Sequence, residues 1–184
     1  MRLGLISDTH ITTERERIPP QIREIFEGVD LILHAGDIYL LSVLDELEVI
    51  APVLAARGNG DIRLPHDPRL QDNIVLDLFG MRIGVTHGID YPEPAWRTLE
   101  AAMDYEFRGR VDVLIFGDSH VDLLEVYNDV FLINPGSPNF PRQIQGPGSV
   151  VLLEIDSGGK ARAEIISLVT GRASKSLTRQ PETK

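Results

Sequence analysis

The sequence predicts an α/β protein in which two packed β-sheets are flanked by helices. Three observations lead there. Short apolar runs alternate with stretches of helical spacing in the first half, and the second half is almost wholly strand and turn. The 184 residues, 42% of them hydrophobic, suffice for one sizeable core and fall short of the length at which two become common. A single domain is expected over residues 1–170.

Arg2 to Ile6, Leu31 to Leu33 and Val53 to Ala56 are short apolar runs suited to parallel strands. Between them, Pro19 to Phe26 and Leu40 to Leu47 carry apolar residues at helical spacing, and Pro19 or Pro20 suits a first helical turn. This half reads βαβαβ. Ile74 to Phe79 and Arg82 to Thr86 flank Gly80 as a hairpin, and Pro94 to Phe107 reads as a helix before the strand Asp112 to Phe116. Leu123 to Tyr127 and Val130 to Asn134 meet at the turn pair Asn128 and Asp129. Val150 to Ile155 pairs with Ala161 to Leu168 across Ser157, Gly158 and Gly159. From Gly171 the chain is polar, with Arg172, Lys175, Arg179 and Lys184, and shows no apolar periodicity; residues 171–184 are expected to form a disordered tail.

Composition narrows the function. Lys and Arg number 18 against 28 Asp and Glu, a net charge of −10 without a dense basic stripe. Tight binding to long nucleic acid or to anionic membranes is therefore not expected. The absence of cysteine excludes disulfides and thiolate metal sites. No apolar run approaches the roughly 18 residues of a membrane span, and MRLGLISDTH leaves no room for a signal peptide, so a cytoplasmic protein is expected. A homo-oligomer is compatible with the sequence.

Five islands carry the chemistry: SDTH at Ser7 to His10, HAGD at His34 to Asp37, GNGD at Gly58 to Asp61, THG at Thr86 to Gly88 and GDSH at Gly117 to His120. Each follows an apolar run, which puts its Asp, Asn or His where a buried strand emerges into a loop. Any one of them reads as an ordinary turn; their order and shared placement do not. Carboxylate, imidazole and amide groups converging from several strand ends suit two divalent cations held about 3.5–4 Å apart, with Asp37 as the candidate carboxylate touching both. Such a pair makes hydroxide available near neutral pH and draws charge from a phosphoryl oxygen, so phosphoester hydrolysis is the expected reaction.

With these motifs the chain resembles the calcineurin-like metallophosphoesterases, in particular their small bacterial and archaeal phosphodiesterase branch, from Met1 to about Leu168. INPGS at Ile133 to Ser137, followed by Pro141 and Arg142, resembles a loop that accompanies the metal motifs there. The resemblance implies a four-layer α/β/β/α sandwich. It implies Asp8, His10, Asp37 and His120 around one metal, and Asp37, Asn59, His87 and Asp118 around the second. It points to Asp37, Asn59 and His87 as the catalytic set. Two departures stand out. Asp118 occupies a position where the family usually has His, which favours harder ions, with Mn²⁺ first and Mg²⁺, Fe²⁺, Ni²⁺ or Zn²⁺ as the other candidates. Gly60 stands where larger relatives carry a His near the leaving group, so either a water, a metal or another side chain serves there, or the enzyme prefers leaving groups that need little help.

The remaining candidates are weaker. His34 ends an apolar strand and is expected to hydrogen-bond behind the ligands, and His66 to face solvent. Arg57 and Arg142 are candidates for gripping a substrate phosphate. Trp96, Tyr91 and Phe140 are expected to pack. The leading expectation is a phosphodiesterase acting on a small phosphoester by metal-activated hydroxide in a binuclear site. The alternative is a non-catalytic scaffold that keeps the fold for protein partners, as an endosomal-coat relative does with an impaired metal site. A nuclease is disfavoured by the charge.

Overall fold

The computed structural model describes residues 1–139 and 148–180. Its elements run β1 (Arg2–Ile6), α1 (Gln21–Ile25), β2 (Leu31–His34), α2 (Ser42–Glu48), β3 (Val53–Ala56), β4 (Leu70–Gln71), β5 (Ile74–Leu78), β6 (Met81–Val85), α3 (Leu99–Phe107), β7 (Val113–Ile115), β8 (Leu123–Tyr127), β9 (Val130–Asn134), β10 (Ser149–Ile155), β11 (Ala161–Ser167) and β12 (Arg172–Arg179). They form two mixed sheets. One orders its strands β12, β11, β10, β1, β2, β3, β4; the other orders them β5, β6, β7, β9, β8. The centre of each is parallel, with β1, β2, β3 and β4 in one and β6, β7 and β9 in the other, and antiparallel strands close the flanks.

Period-two alternation explains the layers. Leu3 and Leu5 of β1, Leu33 of β2, Val113 and Ile115 of β7 and Phe131 and Ile133 of β9 turn inward and form the core between the sheets. The intervening residues turn outward. Ile6, Ile32, Val53 and Ala55 meet Ile22 and Phe26 of the α1 segment and Val43, Leu44 and Leu47 of α2. Leu114, Phe116, Val130 and Leu132 meet Leu99, Met103 and Phe107 of α3. Burial on both faces is why these strands read as unbroken apolar runs. The result is the predicted α/β/β/α sandwich.

Two hairpins follow the sequence expectation: β5 and β6 join through Phe79 and Gly80, and β8 and β9 through Asn128 and Asp129, whose φ values of 48° and 63° match a type I′ turn. The third helix is shorter than expected. It starts at Leu99, not Pro94, because Thr98 is extended and its side chain caps the Ala101 N–H at 3.2 Å, while Glu93 takes the Leu99 N–H at 2.7 Å.

The expected disordered tail is overturned over Arg172–Arg179. This stretch pairs antiparallel with β11 from Ala161↔Arg179 to Ser167↔Arg172. Leu177 packs against the intersheet core, and buried Arg179 donates to the Asp129 carbonyl at 3.1 Å and pairs with Asp112 at 3.3 Å. An edge strand needs backbone partners and one buried anchor rather than apolar periodicity, which is why its polar sequence hid it. The domain therefore extends past residue 170. Residues 181–184 of that expectation lie outside the described residues.

Candidate metal centre

All five islands lie beyond the carboxyl ends of parallel strands: β1, β2 and β3 from one sheet, β6 and β7 from the other. Strand ends in two packed sheets thus aim their loops at one place. Within the loops the backbone is unusual. Asp8, His10, Asp37, Tyr39, Asp118 and His120 all have positive φ, between 46° and 66°, in three Asp-x-His or Asp-x-Tyr pairs of the same form. Left-handed backbone costs on the order of 1–3 kcal/mol per non-glycine residue and persists only where the surroundings enforce it.

Hydrogen bonds supply that enforcement. The Asp8 N–H donates to the Gly36 carbonyl at 2.9 Å, and the His10 N–H to the Asp37 carbonyl at 3.0 Å. Buried Asp61 is the main brace. Its carboxylate accepts from the backbone N–H groups of Asp37 at 2.9 Å, Ile38 at 3.3 Å, Tyr39 at 2.8 Å and Gly58 at 2.9 Å. The INPGS loop braces from the other side: Ser137 Oγ donates to the Asp8 carbonyl at 2.7 Å, and Asn134 Nδ2 to the Gly117 carbonyl at 2.9 Å. The islands' glycines have a steric reason. A Cβ on Gly58 would strike Asp37, and one on Gly117 would lie 2.6 Å from Asp8 Oδ2.

The donor atoms converge at ligand spacing. Two ligands each about 2.1 Å from one ion lie roughly 3–4 Å apart. Asp8, His10 and His120 form one group, with His120 Nε2 3.5 Å and His10 Nε2 3.8 Å from Asp8 Oδ1, and the two imidazole nitrogens 3.1 Å apart. Asp8, Asp37 and His87 form the other. Asp37 spans both: its Oδ2 lies 3.4 Å from His10 Nε2 and its Oδ1 3.5 Å from His87 Nε2. Asp118 Oδ1 approaches His87 Nε2 at 3.6 Å from the rim, its side chain 62% exposed. Asn59, at the head of a 3-10 turn, is exposed at a cavity that His87 and Asp118 also line. The geometry thus adds Asp8 to the second group and leaves Asp118 and Asn59 at its mouth.

Do these residues fit metal ions? Among the described residues, Asp8 Oδ2 and His87 Nε2 are buried without a hydrogen-bond partner. Such orphaned atoms are costly unless something else engages them. His87 Nδ1 lies 2.8 Å from the Ala35 carbonyl; as a donor there it leaves the Nε2 lone pair facing the centre, the arrangement a metal-binding imidazole adopts. Burial pushes the Asp37 carboxyl above its ordinary range, opposed by the Gly60 N–H and the nearby His87 and His10. A dication would favour its ionised form. The residues fit divalent cations.

The other expectations fall as follows. His34 is buried with both ring nitrogens engaged, by the Gly36 N–H at 3.1 Å and Thr9 Oγ1 at 3.2 Å, and burial lowers it to about 4. It is neutral and holds loops, not metal. His66 is exposed as expected; Trp96 is also exposed, against the expectation that it packs, whereas Tyr91 packs edge-on to Phe116 and Tyr127. Arg57 donates to the Asp61 carbonyl at 2.8 Å and pairs with exposed Asp72 at 3.4 Å. It also lines a cavity of about 460 Å³ with Asn59, His87 and Asp118. Arg142 and Phe140 lie outside the described residues. Sequence reasoning missed Asp61 and Tyr39. GNGD contains the first, but a turn cap was its plainest reading, and nothing local marks Tyr39.

A two-sheet sandwich with carboxylates and imidazoles gathered at its strand ends defines a class of metal-binding phosphoesterases. The chain belongs to the calcineurin-like phosphoesterase superfamily, whose domain profile matches residues 1–158. It is 40% identical over 167 residues to a probable metallophosphoesterase of Methanothermobacter thermautotrophicus, covering 90% of this chain and 92% of the relative. A phosphodiesterase of Methanocaldococcus jannaschii is 31% identical over 152 residues, covering 74% and 83%. In fold, the chain is similar to Vps29 from Chaetomium thermophilum, with a TM-score of 0.79, 22% identity and coverage of 100% and 97%. Among the described residues no helix is long and apolar enough to cross a membrane.

Proposed function

We propose that the protein is a metal-dependent phosphodiesterase that hydrolyses a small phosphoester at a binuclear centre. One observation carries the reading: two donor groups share buried Asp8, Asp37 spans them, and Asp8 Oδ2 and His87 Nε2 are buried without a hydrogen-bond partner among the described residues. Asp8, His10, Asp37 and His120 would hold one ion; Asp37, His87, Asn59 and Asp118, with Asp8 adjoining, would hold the other. When bound, such ions supply hydroxide near neutral pH and neutralise charge on the phosphoryl oxygens. Mn²⁺ is the proposed native metal, because the set is rich in oxygen ligands and contains no sulfur.

The chain's own groups do the rest. Asp61 and the INPGS loop fix the ligands before substrate arrives, so little reorganisation is needed at reaction. Arg57 stands beside Asn59 and His87 in the cavity, where its guanidinium can pair with a phosphate oxygen in exchange for Asp72. A small substrate suits a cavity of about 460 Å³. The relative named as a phosphodiesterase supports the diester assignment.

A scaffold function on the same fold is the second reading. It draws on the likeness of fold to Vps29 and on the exposure of Asp118. Buried donors left without partners are a cost that a scaffold has no use for. The two readings separate on a panel of aryl phosphodiesters and phosphomonoesters assayed with Mn²⁺ and with a chelator. Metal-dependent turnover ranking diesters above monoesters is expected. Absence of turnover at any metal concentration would leave the scaffold.

A further inference from the structure

The Tyr39 side chain has no assigned role, yet it stands at the centre's edge. Its ring lies 5.0 Å, centroid to centroid, from that of His10. It also fills the space a side chain at residue 60 would need: a Cβ on Gly60 would run into Tyr39 Cε2 and lie 2.6 Å from Cζ and 3.0 Å from the hydroxyl oxygen. Gly60 in turn donates its N–H to Asp37 Oδ1 at 2.8 Å. The phenol is therefore seated one residue contact away from the carboxylate that spans the two donor groups.

This placement is built into the backbone. Tyr39 has a φ of 65°, and its N–H is held by Asp61 Oδ1 at 2.8 Å, so the loop directs the ring toward Gly60. Within the three repeated pairs, Tyr39 takes the position held by His10 and His120 in the others, with a hydroxyl where those have imidazole. Among the described residues that hydroxyl makes no hydrogen bond, although the ring is partly buried. A donor held at a reacting centre with no protein acceptor is available to an oxygen of the substrate.

Resting on the phosphodiesterase reading, we infer that Tyr39 is a substrate contact whose hydroxyl donates a hydrogen bond to the ester oxygen of the leaving group. The contact strengthens as negative charge builds on that oxygen, so it matters most for poor leaving groups. It requires no proton transfer from the phenol. Glycine at residue 60 is then the condition for the contact, since it alone leaves room for the ring.

The test uses aryl phosphodiesters of graded leaving-group pKa with Mn²⁺, in the parent, Tyr39→Phe, Gly60→Ala and the double variant, with Mn²⁺ affinity measured by calorimetry. In Tyr39→Phe, kcat/KM is expected to fall about threefold for the best leaving groups and about 10–100-fold for the worst, at unchanged Mn²⁺ affinity. Gly60→Ala should reproduce the steeper dependence by displacing the ring, and should add little to Tyr39→Phe. An equal loss across the series, no loss, or a fall in Mn²⁺ affinity that matches the fall in rate would overturn the inference and leave the phosphodiesterase reading intact. A parent inactive on the whole series would overturn both.

Discussion

Asp37→Ala is expected to lower metal-dependent phosphodiester hydrolysis by about 10³-fold or more while leaving the metal-free protein as stable as the parent. The rate follows from position. Asp37 is the carboxylate whose two oxygens face His10 and His87, and under the binuclear reading its loss removes a shared ligand worth several kcal/mol of transition-state stabilisation. The stability follows from a balance: burial disfavours the charged carboxyl and Asp61 repels it, while the Gly60 N–H and the nearby His87 and His10 favour it, so removing the side chain loses costs and gains together. What the variant should lose is stabilisation by metal. In the parent, Mn²⁺ at about 100 times its Kd contributes about 2.7 kcal/mol, or roughly 5–10 °C in Tm for a domain of this size. Thermal melts with and without Mn²⁺ check this. Near-normal turnover in Asp37→Ala at saturating Mn²⁺ is the result this account cannot accommodate.

Asp61→Ala should behave in the opposite way, unfolding more easily even without metal. Its carboxylate is the acceptor for four backbone N–H groups, and each buried donor left unpaired costs about 1–3 kcal/mol before the loop relaxes. A net loss of about 3–5 kcal/mol is expected, with Tm falling by roughly 6–20 °C in the metal-free protein. Asp61→Asn should fall between, since it keeps an acceptor oxygen but turns an amide toward the donors. Metal affinity should drop in both, because the Asp37 and Tyr39 loop loses its brace. A metal-free Asp61→Ala that melts with the parent would mean that the loop holds its left-handed turns without this carboxylate.

The contrast between Asp37 and Asp61 marks what was legible in the sequence. Asp37 lies directly after an apolar strand, in an island that repeats the form of four others, and its reading needs only strand ends converging. Asp61 lies in the same kind of island, yet its task is to collect backbone N–H groups from a loop 22–24 positions earlier. Nothing in GNGD announces that partner. The sandwich was readable because central strands buried on both faces are continuously apolar. Strand β12 was not, because Arg172–Arg179 gains its place through backbone pairing with β11 and through Leu177 and Arg179, two anchors in a polar run. Pairing partners distant in sequence leave little trace in local composition. The late start of α3 at Leu99 has a similar cause, since Thr98 and Glu93 act as caps only once the loop before them is folded.

The most direct test of the binuclear claim is a calorimetric titration of metal-free protein with Mn²⁺, with hydrolysis of an aryl phosphodiester followed at each point. The account predicts two equivalents per chain, with turnover rising as the second equivalent binds. Both the second equivalent and the turnover should be lost in Asp37→Ala. One equivalent carrying full activity would contradict the two-ion centre. Two equivalents bound without turnover of any diester would contradict the assignment of this site to phosphoester hydrolysis.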